Sequence, residues 1–177
     1  MEEFKLDELK EAVHKYTYDV LYRLKIMDCA PDMVQIGNEI RSGMLFPDGA
    51  VPQYRQLAEL VNEGIRAVRE LLPETKVMIH LDQGGRYNCI MPWLDSMFNA
   101  GLLPIDAIGL SFYSFWHGTF MDLKDTMSRI IKLYNLPVYI VETAHPWRHC
   151  KGDHISKELM ETAGLMQAAQ SRRSLLK

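Results

Sequence analysis

The strongest constraint on the fold is a regular alternation of short apolar segments with amphipathic helical segments. The apolar, strand-like segments cover residues 33–38, 76–82, 107–113 and 137–142. Between them, apolar residues recur every three or four positions, as on a helix with one buried face. Strands that alternate with helices in this way usually pair in parallel and are covered on both faces. The sequence therefore predicts one α/β domain over residues 1–177.

The helical segments carry their own boundary signals. The first pattern begins at Leu6 and continues to Leu24, and a second helix is predicted from Val51 to Leu72 with Pro52 in its first turn. Three further helices are predicted over residues 91–100, 120–134 and 155–176.

Side chains alternate between the two faces of a strand, so the polar residues at strand ends can be assigned to one face. This inner face would carry Gln35, Gly37, Met78, His80, Asp82, Gly109, Ser111, Tyr113, Val138 and Ile140. The opposite face carries large apolar residues, which are Val34, Ile36, Val77, Ile79, Leu81, Ile108, Leu110, Tyr139 and Val141. Polar groups at the C-terminal strand ends are typical of a (β/α)8 barrel. A doubly wound sheet would alternate similarly, but it usually has a glycine-rich phosphate loop, and neither GxGxxG nor GxxxxGK[ST] occurs.

Two glutamates close two of the strand-like segments. Glu39 ends the first segment and Glu142 ends the fourth. A carboxylate at the end of an apolar strand is costly unless it is paired or used. Two such groups favour paired acid/base and nucleophile chemistry on a glycosidic bond. Each alone could equally be a helix cap or one half of an ion pair.

Composition excludes several function classes. The net charge is −3 and the charges are dispersed, so neither a nucleic-acid nor a membrane-surface partner is predicted. The apolar runs are too short to span a bilayer, and the acidic first residues do not resemble a signal peptide. Cys29, Cys89 and Cys150 lack any CxxC spacing and are interpreted as free thiols.

Four motifs resemble the strand signatures of the family 53 arabinogalactan endo-β-1,4-galactanases. Residues 34–40, followed by 43–47, resemble the signature of the fourth barrel strand. Residues 80–84 are similar to the fifth strand, 109–118 to the sixth and 141–147 to the seventh. The motifs occur in the family's order and span most of the chain.

The resemblance implies a partial (β/α)8 TIM barrel, with about four βα units after a leading helix. A complete barrel needs about 250 residues, so the chain is expected to be truncated and to have little or no activity by itself. The family acts on galactan and arabinogalactan side chains of pectin. The complete parent protein is therefore expected to be secreted.

The resemblance also implies roles for the residues that match the motifs. Glu39 would be the general acid/base, and Glu142 would be the nucleophile that forms a galactosyl ester. Asn38 would hold the 2-hydroxyl of the sugar beside the scissile bond. Tyr113 would donate a hydrogen bond to Glu142 and keep it ionised.

Other residues at the strand ends are predicted to bind the polysaccharide. This group consists of His80, Asp82, Trp116, His117 and Trp147. An inward histidine is more often simply hydrogen-bonded in a core, and a strand-end tryptophan is a packing residue about as often as a ligand platform. Trp93, on a helical segment, is predicted to lie in the core.

No metal or cofactor is predicted. The segment with His145, His149, Cys150, Asp153 and His154 invites a metal interpretation, but its spacing fits no zinc pattern and two-carboxylate hydrolysis needs no metal. In some bacterial members of the family that this sequence resembles, the loop after strand seven holds a calcium ion, and residues 148–156 are short for that loop. His145 stands where the family usually has tyrosine.

Two alternatives remain open at the level of the sequence. One is a different specificity in the same clan of retaining β-glycosidases, such as a mannanase or glucanase. The other is a non-catalytic glycan-binding remnant, because an open half-barrel exposes strand edges that favour association.

Overall fold

A computed structural model of the protein describes residues 6–144. The elements in chain order are α1 (Leu6–Ile26), β1 (Met33–Ile36), a 3-10 turn (Ile40–Ser42), α2 (Tyr54–Leu71), β2 (Lys76–Leu81), α3 (Tyr87–Asn99), β3 (Ala107–Ser111), α4 (Phe120–Tyr134) and β4 (Val138–Glu142). The helix predicted over residues 155–176 lies outside the described residues. Among residues 6–144, no helix has both the length and the apolar character that a membrane span requires.

The four strands form one parallel sheet in the order β1-β2-β3-β4. Each connection between neighbouring strands contains a helix, as parallel pairing requires. The register places Ile36 opposite Ile79 and Leu81 opposite Leu110. The predicted α/β alternation and parallel pairing are confirmed.

The hydrophobic core lies between the helices and one face of the sheet. Ile79 and Ile108 are fully buried on that face, and Trp93 of α3 is 2% exposed, so its predicted core position is confirmed. Helix α2 approaches β1 closely at Gly64, where a Cβ atom would lie 2.9 Å from Cγ2 of Ile36. The opposite face of the sheet carries the polar residues at the strand ends.

The first strand is shorter than predicted. It ends at Ile36, not at residue 38, because Gly37 has φ +76° and turns the chain out of the strand direction. Glu39 follows in the left-handed conformation, with φ 49° and ψ 46°. The predicted glutamate therefore lies in a turn beyond the strand.

Two helix boundaries also differ from prediction. Helix α2 begins at Tyr54, so Pro52 lies in a turn that precedes it. Helix α3 begins at Tyr87, earlier than the predicted start at residue 91, and contains Pro92 in its first half. The hydrophobic period alone did not detect that first turn of α3.

The last strand contains an irregularity that alternation does not predict. Its first residues pair regularly with β3, with Val138 opposite Ile108. The register then shifts between Leu110 and Ser111, and Ser111 lies opposite Glu142. A β-bulge of this kind adds one residue to one strand, so alternation counted back from Glu142 is off by one.

The side-chain directions predicted for the start of β4 are therefore wrong. Ile140, predicted to point inward with Val138, lies opposite the buried Leu110 on the helix side. Tyr139 takes the inner face, opposite Gly109. The bulge restores the inward direction at Glu142, which is the position that matters for the site.

Candidate active site

The two strand-end glutamates lie together although they come from the outermost strands of the described sheet. One carboxylate oxygen of Glu39, one of Glu142 and one ring nitrogen of His80 all lie within 4.8 Å of one another. Neighbouring strands are about 4.8 Å apart, so a flat sheet would separate β1 and β4 by about 14 Å. Curvature of the sheet and the length of the side chains bring the carboxylates together.

The turn after β1 aims Glu39 at this point. No residue with a side chain fits at position 37, because φ is positive there and a Cβ atom would lie 2.4 Å from Cγ2 of Ile40. Ile40, only 1% exposed, anchors the turn in the core. The left-handed conformation of Glu39 then carries its carboxylate over the C-terminal end of the sheet.

A chain of buried polar groups contacts the Glu39 carboxylate. Ser111 Oγ is 2.6 Å from Glu39 Oε1 and 2.8 Å from His80 Nε2. The other ring nitrogen of His80, Nδ1, is 3.2 Å from Asn38 Oδ1. Ser111 is 0% exposed and His80 is 1% exposed, so both side chains are shielded from water.

The buried setting favours the neutral form of the His80 imidazole. Burial lowers the pKa of His80, while the negative charges of Glu142, Glu39 and Asp82 act in the opposite direction without overcoming it. A neutral imidazole has one N–H donor and one nitrogen acceptor.

Glu142 has a different kind of partner. The Tyr113 hydroxyl donates a hydrogen bond of 2.5 Å to Glu142 Oε1, which is the contact that the sequence predicts. This hydrogen bond, with burial and the charges of Glu142 and Glu39, raises the pKa of Tyr113 to about 12. The phenol therefore stays protonated and remains a donor at ordinary pH.

An aromatic shelf lies beside this tyrosine. Trp116 is 61% exposed. Its ring lies edge-on to that of Phe115, with ring centroids 4.6 Å apart, and its centroid is 5.5 Å from the Tyr113 ring centroid. The Arg86 guanidinium donates a hydrogen bond of 2.7 Å to the Trp116 carbonyl oxygen, which fixes this loop. An exposed indole beside Tyr113, whose hydroxyl contacts Glu142, is a suitable surface for the apolar face of a sugar.

Asp82, a predicted sugar ligand, forms an ion pair that the sequence did not predict. Its two carboxylate oxygens accept hydrogen bonds of 2.8 and 3.1 Å from Nε and Nη2 of Arg41. The hydrogen bond with Asp82 raises the pKa of Arg41. The pair ties the turn that follows Glu39 to the end of β2, and a sugar contact of Asp82 stays a prediction.

His117 lies in the turn after β3 and is 4% exposed. Its Nδ1 is 3.0 Å from the Ser111 carbonyl and 3.2 Å from the Tyr113 amide nitrogen. Burial lowers its pKa. These contacts brace the turn that carries Tyr113, and a role of His117 in sugar binding stays a prediction.

The other predicted features lie beyond the described part of the chain. Trp147, His145 and the segment from His149 to His154 belong to residues 145–177. Their predicted contributions to sugar or metal binding are not tested.

Two residues of the site have roles that sequence reasoning missed. Ser111 was assigned to the inner face at a strand end, but nothing in its pattern indicated a contact with Glu39. Arg41 lies in a 3-10 turn, where no periodic pattern assigns a direction. Both contacts join segments that are distant in the sequence, so they depend on the assembled sheet.

Comparison with known proteins gives consistent matches. Residues 2–176 match glycosyl hydrolase family 53. An uncharacterized protein of Niallia circulans is 43% identical over 82% of this chain and 42% of its own length. The arabinogalactan endo-β-1,4-galactanase of Cellvibrio japonicus is 32% identical, over 88% of this chain and 43% of the relative.

A solved structure extends the likeness to three dimensions. The family 53 catalytic domain of Ignisphaera aggregans superposes with a TM-score of 0.83 and 34% identity, covering 92% of this chain and 46% of that domain. The predicted partial (β/α)8 barrel is confirmed by this likeness. The chain spans less than half the length of the curated relatives it matches.

Proposed function

The chain belongs to glycosyl hydrolase family 53, and we propose that it carries the two-glutamate site of an endo-β-1,4-galactanase that hydrolyses the galactan and arabinogalactan side chains of pectin. This chain spans less than half the length of those relatives, so it is expected to have little or no activity by itself. Relatives from Thermothelomyces thermophilus and Cellvibrio japonicus are named arabinogalactan endo-β-1,4-galactanases, which supports this substrate. The two carboxylates at one rim support hydrolysis by a pair of glutamates.

The separation of the carboxylates is the observation that carries the reaction type. Retaining glycosidases place their two carboxyl groups about 5–5.5 Å apart, whereas inverting enzymes need about 6.5–9.5 Å to admit a water between them. In this chain, oxygens of Glu39 and Glu142 lie within 4.8 Å. This spacing leaves no room for a water that attacks directly, so it supports a double displacement with a covalent intermediate.

In the first step, a Glu142 oxygen attacks the anomeric carbon while the glycosidic C–O bond breaks. Glu39 transfers its proton to the leaving oxygen, and a galactosyl ester remains on Glu142. In the second step, the Glu39 carboxylate takes a proton from a water molecule as that water attacks the anomeric carbon of the galactosyl ester. The ester bond breaks, and Glu142 returns to its carboxylate form.

The hydrogen-bond partners support this assignment of roles. Glu142 accepts a hydrogen bond from the Tyr113 phenol, which stays protonated at ordinary pH and stabilises negative charge on the Glu142 carboxylate. Glu39 faces the Ser111 hydroxyl, which is able both to donate and to accept. A partner of that kind suits a carboxyl group that gains and loses a proton in each cycle.

The remaining predicted residues would hold the sugar. Asn38 directs its Oδ1 toward His80 and Gln35, which leaves its Nδ2 group for the 2-hydroxyl. Trp116 would stack on a sugar ring, and its exposure supports that role. Further contacts are proposed for His80, Asp82, His117 and Trp147.

We propose that the reaction needs neither a metal nor a cofactor, because the two carboxyl groups supply both proton transfer and the nucleophile. Pectin side chains are polymers outside the cell, so the proposed substrate supports an extracellular site of action.

An activated aryl β-galactoside and galactan together test the assignment. A dinitrophenolate leaves without a proton, so its release should depend on Glu142 and should persist in Glu39→Gln. Reducing-sugar release from galactan should require both glutamates. Mannan and β-glucan serve as control polymers, and Glu142→Gln is the matched inactive variant.

Three outcomes would contradict the proposal. Phenolate release that persists in Glu142→Gln would show that Glu142 is not the nucleophile. Faster cleavage of mannan or glucan than of galactan would show that galactan is not the preferred substrate. Reducing-sugar release from galactan that is unchanged in both glutamate variants would show that the cleavage does not use this site.

A further inference from the structure

Three side chains at the C-terminal end of the sheet form a compact set of metal-binding donors. One oxygen of Glu39, one oxygen of Glu142 and one ring nitrogen of His80 all lie within 4.8 Å of one another. Among residues 6–144, no other group of three histidine, cysteine or acidic side chains meets this distance. The buried nitrogen donor distinguishes the set from an ordinary cluster of surface carboxylates.

The spacing of the donors suits a small divalent cation. Zinc binds imidazole nitrogen at about 2.0–2.1 Å and carboxylate oxygen at about 2.0–2.2 Å, so two ligands of a tetrahedral ion lie about 3.4 Å apart. Donor atoms within 4.8 Å of one another reach that spacing when the two flexible glutamate side chains rotate. The ligands come from the turn after β1, from β2 and from the end of β4, so the ion would join three segments.

Both carboxylates are already oriented by hydroxyl groups. Ser111 Oγ donates 2.6 Å to Oε1 of Glu39, and the Tyr113 hydroxyl donates 2.5 Å to Oε1 of Glu142. None of the side-chain hydrogen bonds found among residues 6–144 engages the Oε2 atom of either glutamate. Hydrogen bonds to ligating carboxylates hold them in position and raise metal affinity, so each glutamate is supported on one oxygen and has the other for an ion.

The imidazole has an oxygen partner at each of its nitrogens. His80 is 1% exposed, its Nδ1 lies 3.2 Å from Asn38 Oδ1, and its Nε2 lies 2.8 Å from Ser111 Oγ. A metal ion takes the place of one partner, and the remaining N–H of a metal-bound histidine usually donates to an oxygen. Whichever nitrogen binds the ion, the other nitrogen keeps its oxygen partner.

The charge and the exposure of the set favour a divalent cation from solvent. Glu39 and Glu142 are half-buried, so an ion reaches the buried imidazole at their carboxylates. Two carboxylates balance the charge of one divalent ion. Arg41, the basic side chain in the adjoining turn, is paired with Asp82 and leaves the two glutamates to the ion.

We propose that Glu39, His80 and Glu142 bind one divalent transition-metal ion, such as Zn²⁺, which inhibits the site. A nitrogen donor beside two carboxylates favours Zn²⁺, Co²⁺, Ni²⁺ or Cu²⁺, whereas Mg²⁺ and Ca²⁺ prefer larger sets of oxygen ligands. Three protein ligands leave the fourth position of a tetrahedral ion for water. The bound ion occupies both glutamates, so inhibition rests on the proposed function, whereas binding does not.

A Co²⁺ titration of the 177-residue chain tests the site without a substrate. The visible absorption of bound Co²⁺ reports its affinity, and a hyperfine-shifted proton NMR signal reports the ring N–H of a coordinated histidine. We expect one such signal, lost in His80→Gln. We expect Glu39→Gln and Glu142→Gln each to weaken Co²⁺ binding about tenfold or more, and Zn²⁺, but not Mg²⁺, to displace Co²⁺.

A second histidine beside a carboxylate provides the matched control. His14 Nε2 on α1 lies 3.3 Å from a carboxylate oxygen of Glu70 on α2, but no second acidic ligand joins them among the described residues. His14→Gln and Glu70→Gln should leave the Co²⁺ affinity unchanged. Urea denaturation of every variant, with comparable m-values, shows that a loss of binding does not come from unfolding.

An affinity that is unchanged in folded Glu39→Gln and Glu142→Gln would overturn the proposal. That result is expected of an ion held by cysteines or by the histidines beyond residue 144. Equal affinities for Mg²⁺ and Co²⁺ would also overturn it. A chain that binds Co²⁺ as expected but never cleaves galactan refutes the proposed function and leaves the metal site standing, whereas galactan cleavage that saturating Zn²⁺ does not slow refutes the inhibition.

Discussion

The ion pair between Arg41 and Asp82 gives a prediction about the support of the site. The pair is bidentate, and it joins the turn that follows Glu39 to the end of β2. We consider Arg41→Gln and Asp82→Asn, singly and together. Each substitution removes a charge and retains part of the side chain that packs in the turn.

The expected energy follows from the exposure of the two groups. The Arg41 and Asp82 side chains are 33% and 19% exposed, so the pair is neither free in solvent nor fully buried. Exposed pairs contribute about 0–1 kcal/mol, and breaking a fully buried pair costs about 3–5 kcal/mol. We expect each single variant to lower the free energy of unfolding by about 1–3 kcal/mol, with a coupling energy of about 1–2 kcal/mol.

The chain supplies a matched control. Lys15 and Asp19 are 2.6 Å apart on α1, but their side chains are 74% and 50% exposed. The corresponding cycle with Lys15→Gln and Asp19→Asn should give a coupling energy of about 0.3–0.5 kcal/mol. Urea denaturation of all seven proteins, with comparable m-values, measures both cycles.

The comparison has a clear refuting result. Equal coupling energies for the two pairs would show that burial does not strengthen the Arg41–Asp82 pair. A coupling below about 0.5 kcal/mol at Arg41–Asp82 would place it among ordinary surface pairs. Either result would remove the claim that this pair holds the turn of Glu39 in position.

Three further predictions concern the same region. Gly85→Ala would place a Cβ atom 2.1 Å from the His117 carbonyl oxygen, so urea denaturation should show a loss of about 1–3 kcal/mol or more; an unchanged midpoint would contradict this. Burial lowers the pKa of His80 and His117 below their ordinary value of 6.5. The unfolded state therefore binds more protons, and thermal melts should show stability falling as pH drops below about 6.5; a constant Tm would refute this. Tyr113→Phe keeps the ring but deletes the donor to Glu142, so kcat on an aryl galactoside should fall roughly tenfold or more with little change in KM; full activity would show that the hydroxyl is dispensable.

Sequence reasoning predicted the features that depend on local pattern. The alternation of strands and helices, the core position of Trp93 and the strand-end position of Glu142 follow from periodicity and from the cost of burying charge. The contact between Tyr113 and Glu142 followed from the family resemblance together with the inward direction of Tyr113. These features require no knowledge of which backbone atoms pair.

The features that escaped prediction depend on the assembled sheet. The bulge before Glu142 adds one residue to β4, so the side chains of Val138 and Ile140 point to the opposite face from the one predicted. It was not predicted because a one-residue shift in pairing leaves no pattern in the sequence of β4. The contact between Ser111 and Glu39 joins strands that are not adjacent in the sheet. Only the folded chain brings these groups within hydrogen-bond distance.

The most direct test of a two-glutamate retaining site is covalent trapping. A 2-deoxy-2-fluoro-β-galactoside with a dinitrophenyl leaving group forms a glycosyl ester that hydrolyses slowly, so a single turnover suffices for detection. After proteolysis, mass spectrometry should locate the ester on Glu142, with labelling retained in Glu39→Gln and lost in Glu142→Gln. An ester on any other residue, or labelling that persists in Glu142→Gln, would contradict the account.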